Sequence, residues 1–165
     1  MRARPPAVSD IHIANLMGAL NQINNGATTL VDWSHNNPTP EHSDAAIRGL
    51  DDSGIRALFL HGSPKPDPKP GQPPFWEIPH PRGEIERLRK GALADDDALV
   101  TLGMAILGPH YSTYEVAQHD FRLAREFGLT ASMHCAGAAA RVEGGWMRLD
   151  AEGLLDDRCN IVHGN

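Results

Sequence analysis

Three times in this chain a helical stretch closes on glycine and, within one or two residues, an apolar or β-branched run begins. Asn25-Gly26 leads into Thr28-Thr29-Leu30-Val31, Ser53-Gly54 into Arg56-Ala57-Leu58-Phe59-Leu60, and Phe127-Gly128 into Thr130-Ala131-Ser132-Met133. Glycine suits the left-handed residue just past a helix end. The runs are short and nearly continuous in apolar character, as strands of a parallel sheet covered on both faces are. Strands are predicted at about 28–34, 56–61, 99–107, 130–135 and 160–164.

Helices fit between them. Leu16, Ala19, Leu20 and Ile23 recur at helical spacing. Thr39-Pro40-Glu41 reads as a helix start, with Thr as N-cap, Pro in the first turn and an acid beside it, and the helix runs on through Ala45, Ala46, Ile47 and Leu50. Ile85 and Leu88 mark a shorter helix, and Thr113 caps one carrying Val116, Ala117, Phe121, Leu123 and Ala124. This alternation of about five strands and five helices implies βαβ units. One stretch breaks the rhythm. Residues 63–81 hold Pro64, Pro66, Pro68, Pro70, Pro73, Pro74, Pro79 and Pro81, which exclude helix and central strand. The stretch is either a binding loop over the sheet's edge or a solvated proline-rich loop.

At 165 residues the chain is read as a single domain. Its net charge of −6 argues against a general nucleic-acid partner. No apolar run reaches the ~18–20 residues of a membrane span, and no apolar signal core follows Met1-Arg2-Ala3-Arg4, so a cytoplasmic location is expected. Cys135 and Cys159 form no CxxC pair and are read as free thiols, with Cys135 filling a strand.

The polar residues fall at the strand ends. His35, His61, His110, His134 and His163 each lie at or just beyond the C-terminal end of a predicted strand. In parallel α/β folds that edge binds ligands, and metal sites gather histidine from separate elements. His12, His42, His80 and His119 fall on helices or loops and receive no chemical role. No GxGxxG, phosphate-binding loop or GxSxG elbow occurs, so nucleotide and serine-hydrolase chemistry lack support. Trp33 either walls a substrate or packs in the core. Asp32 either contacts substrate or serves an ordinary hydrogen-bonding role.

The run Gly26-Ala27-Thr28-Thr29-Leu30-Val31-Asp32-Trp33-Ser34-His35, followed by Thr39-Pro40-Glu41-His42, resembles the cytosine deaminase and triazine hydrolase-like branch of the amidohydrolase superfamily. So do Ser53-Gly54-Ile55-Arg56-Ala57 leading to His61-Gly62, and the strands Ser132-Met133-His134 and Ile161-Val162-His163-Gly164-Asn165. The resemblance implies a (β/α)8 TIM barrel with a divalent metal, zinc or iron, at its C-terminal mouth. The metal lowers the pKa of a bound water and so provides a hydroxide. By resemblance, His134 is the strand-five metal ligand. His163 is the strand-six histidine, which binds metal or polarises substrate. Trp33, His35 and His61 become candidate substrate contacts.

The family's His-x-His pair does not occur in this sequence, and Gly137 stands where deaminases of the branch carry a glutamate. The expectation is therefore a partial amidohydrolase barrel, about strands two to six, without the first and last. Its parent activity would be hydrolysis of a C–N or related bond in a small, cyclic substrate. The stretch by itself is expected to be inactive and to self-associate or need a barrel-completing partner. The alternative is a non-catalytic half-barrel that serves as a binding or interaction module.

Overall fold

The computed structural model describes residues 6–66, 69–137 and 139–164. Five strands form one parallel sheet in the order β1-β2-β3-β4-β5: Thr29–Ser34, Arg56–Gly62, Val100–Ala105, Thr130–Cys135 and Cys159–His163. Each expected strand is present within two residues of its predicted bounds. Helices α1 (Val8–Asn24), α2 (Pro40–Ser53), α3 (Arg82–Lys90), α4 (Gly108–Tyr111), α5 (Tyr114–Glu126) and α6 (Gly145–Ala151) lie before and between the strands. The short α4 and α6 add to the expected set. Residues 106–107, read as strand, lie beyond β3 and lead into α4. Within the proline-rich stretch the described residues form one short 3-10 turn, Phe75–Glu77.

Local chemistry places the helix ends. Thr39 is the N-cap of α2 with extended backbone, and Pro40 opens the helix, as expected. Its hydroxyl, however, bonds Glu41 and His42 rather than a backbone amide. Thr113 does cap α5, accepting from the Val116 amide. The second helix closes on Gly54 at φ 74°, which only glycine adopts freely. α1 and α2 cross closely at Gly49, where a Cβ would lie 2.6 Å from the His12 carbonyl oxygen.

The parity of the strands decides what each residue faces. Ala57 and Phe59 of β2, Leu102 and Met104 of β3, and Ala131 and Met133 of β4 pack with Ile47, Leu50, Leu88 and Phe121 of the helices. This layer is the main core. The intervening residues face the other side, where a Cβ on Gly103 would meet Leu60 and Leu58. Trp33 is in register with Leu60 and so shares that inner face. Its ring lies 4.2 Å from that of His134, three strands away. A flat sheet keeps strands so far apart by about 14 Å, so the sheet is curled into half a barrel with Trp33 and His134 meeting across its interior.

Candidate metal and ligand site at the strand ends

Because all pairings are parallel, His35, His61, His134 and His163 share one edge of the sheet. Three of them gather at the mouth of the curl. The rings of His134 and His163 are 5.1 Å apart with planes at 31°. Trp33 lies against His134, and His35 is 6.1 Å from Trp33. His163 pairs in register with Cys135, on the helix-facing parity. It is also the one non-glycine residue at positive φ, 72°, among the described residues. That left-handed backbone breaks the alternation and lets its ring meet His134. Histidine tolerates such a conformation better than most residues, at a cost of about 1–3 kcal/mol.

A cavity of about 250 Å³ opens here, bounded by Trp33, His35, Lys65, Phe75, Tyr111 and His134 among others. Burial lowers the His35 pKa to about 4, with Lys65 and His134 adding to the effect. Burial also lowers His134, helped by His163 and Lys65. Neutral imidazole keeps a nitrogen lone pair free, which is what a metal needs. Two imidazoles bound to one tetrahedral ion at ~2.1 Å have centroids about 5 Å apart, so the His134–His163 pair fits a shared cation. No group of three or more His, Cys, Asp or Glu side chains arranged to hold a metal ion occurs among the described residues.

His61 is not among the residues around this cavity. It shares the parity of Phe59 and lies on the helix side, 2% exposed. Its Nδ1 is 2.9 Å from Nε2 of His80, a loop residue to which sequence reading gave no role. The chain of partners sets the protons. Ser63 Oγ donates to the Ala105 carbonyl, so it accepts from Nδ1 of His80, whose Nε2 then accepts from Nδ1 of His61. His61 Nε2 is left as a buried acceptor without a protein partner. Burial lowers both histidines, His61 to about 4. The His80 amide donates to Asp120, which also bonds His119. This network borders a second cavity of about 390 Å³ that includes Ser63 and Glu84, with His35 and Lys65 lining both. His110 is a buried residue of α4, where its Nε2 contacts the Ala136 carbonyl and its Nδ1 lies 3.7 Å from the half-buried Cys135 thiol.

No protein-family model matches the sequence, and no curated protein matches it significantly. Solved structures do. A mutant of atrazine chlorohydrolase TrzN from Arthrobacter aurescens TC1, complexed with zinc and atraton, superposes with a TM-score of 0.71 at 17% identity. A triazine hydrolase variant gives 0.70 at 15%, and a zinc-bound adenosine deaminase from Xanthomonas campestris gives 0.68 at 17%. The fold is that of part of these hydrolases' barrels. At such identities the likeness is one of fold. The matches cover 95–96% of this chain but only 35–38% of the other chains, so the protein corresponds to just over a third of each of those hydrolases. The partial (β/α)8 barrel expected from the sequence is thereby found. No helix of the described residues is long and apolar enough to cross a membrane.

Proposed function

We propose that the chain forms part of a metal-dependent hydrolase acting on a C–N or related bond of a small cyclic substrate. His134 and His163 serve as two ligands of a divalent zinc or iron ion. The observation that carries this reading is the ring pair at 5.1 Å, held by a left-handed His163 at the mouth of the amidohydrolase half-barrel. The zinc of the structural neighbours supports the choice of metal.

In this reading Trp33 and His35 wall the substrate, and His163 also polarises it. When bound, the metal supplies a Lewis acid that acidifies water and withdraws charge from the scissile bond. His61, with Nδ1 turned to His80, lines the neighbouring cavity that shares His35 and Lys65 with the mouth, and contacts substrate from that side. Zinc usually takes three or four protein ligands. The remaining donors therefore come from residues beyond those described, in a barrel completed by further chain or by a partner. The alternative, a non-catalytic half-barrel, draws on the absence of a third donor among the described residues.

Nitrogen-15 NMR of the imidazoles during zinc titration separates the two. The hydrolase reading predicts that the His134 and His163 signals move together and that His134→Ala abolishes the response. Unmoved signals in the intact protein favour the non-catalytic module.

A further inference from the structure

The cavity at the mouth has a chemical bias that narrows the ligand, on the reading that it is the substrate pocket of the proposed hydrolase. Its walls are mostly apolar and aromatic, with Trp33, Phe75 and Tyr111 around it and Ile106 and Leu107 behind. An apolar cavity of roughly 150 Å³ holds benzene, so a cavity of about 250 Å³ suits one ring with a substituent.

Apart from the imidazoles of His35 and His134, its free polar groups are donors. Lys65 lines the cavity, and no carboxylate does among the described residues. Lys65 takes part in no ion pair among those residues. Trp33 Nε1 is buried without a partner, an indole N–H that can only donate. The Tyr111 hydroxyl is already committed, donating to the Ala136 carbonyl at 2.8 Å. Asp32, the nearest acid along β1, is in register with Phe59 and not with Leu60, on the far side of the sheet. An ammonium beside an aromatic slot calls for a flat ligand that brings negative charge. A cationic ring would meet Lys65 as a like charge.

We propose that the mouth cavity binds a small planar ring carrying an anionic group, with the ring among Trp33, Phe75 and Tyr111 and the anion on Lys65. Lys65 is thus the residue that determines specificity, and the proline-rich segment around it serves to present its charge to the pocket.

The test uses benzoate and its neutral isostere benzamide, followed through the Trp33 indole N–H in two-dimensional NMR of the purified protein without added metal. Trp146, in α6 and not among the cavity's lining residues, provides the reference signal. Benzoate is expected to shift the Trp33 signal and to bind about tenfold or more tightly than benzamide, the ratio one charge-assisted hydrogen bond supplies. Lys65→Gln should erase the preference while benzamide still binds, and Lys65→Arg should keep most of it. Equal binding of the two probes, a preference that survives Lys65→Gln, or no response from either would overturn the proposal. Zinc titration read separately at His134 and His163 distinguishes the two readings. Benzoate binding without zinc binding defeats the hydrolase and leaves the ligand class standing; zinc binding without a benzoate preference does the reverse.

Discussion

At the scale of single residues, parity and buried protons govern what each histidine can do. His134 and His163 were legible from the sequence because both close a β-branched or apolar run, and the structure places them together. The separation of His61 was not legible. Leu58, Phe59 and Leu60 are all apolar, so nothing along β2 tells which parity faces the helices. Its partner His80 lies 19 residues away in a proline-rich loop, a contact only the tertiary fold creates. The buried pair has a consequence for pH. His61 has a folded pKa of about 4, below the ordinary ~6.5 of histidine, so between these values the unfolded chain holds more protons. Stability therefore falls as pH drops from ~6.5 towards 4, by on the order of 3 kcal/mol from His61 alone, and levels off below. His80 acts in the same direction. Glu84 raises the His61 pKa and Arg87 lowers it, both weakly beside burial. Asp32 works the other way: burial raises it to about 6, so it costs stability as pH rises from ~4 to 6. His61→Gln should flatten the acid limb of a plot of urea midpoint against pH. An acid limb unchanged by the substitution would contradict the buried neutral pair.

At the scale of elements, the glycines that announced the strands also fix how helices pack. Gly26, Gly54 and Gly128 all have positive φ, and each ends a helix where the sequence indicated. The short α4 and α6 carry too few residues for a periodic signal, so they were not legible. Gly49 has a packing role that no local pattern reveals, since its neighbour is the backbone of α1. Gly49→Val should destabilise the protein by about 1–3 kcal/mol by forcing α1 from α2. Gly18→Ala, on an exposed turn of α1 with nothing within 4 Å of the new Cβ, should instead stabilise it by about 0.5–1 kcal/mol. Thermal denaturation of the two variants checks the contrast, and similar melting temperatures would remove Gly49 from the account.

At the scale of the whole molecule, the alternation of strands and helices made the half-barrel legible, while its curl rests on the Trp33–His134 contact that no local pattern states. β1 and β5 are the two edges of the sheet. Val31 on one and Ile161 on the other are about half exposed, and α1 presents Ile13, Met17, Leu20 and Ile23 to solvent. Unpaired edges and exposed apolar side chains favour association. Light scattering at micromolar concentration should show species larger than the monomer, and the double variant Val31→Lys, Ile161→Lys should shift the population towards the monomer. A wild-type protein monomeric throughout would mean these edges are guarded in another way. The central claim is that the mouth of this half-barrel holds a metal through His134 and His163. Anomalous diffraction at the zinc edge, on crystals soaked in zinc, addresses it most directly. A peak ~2.1 Å from a ring nitrogen of each histidine is the predicted result; zinc found only at other positions, with this pair bare, would contradict it.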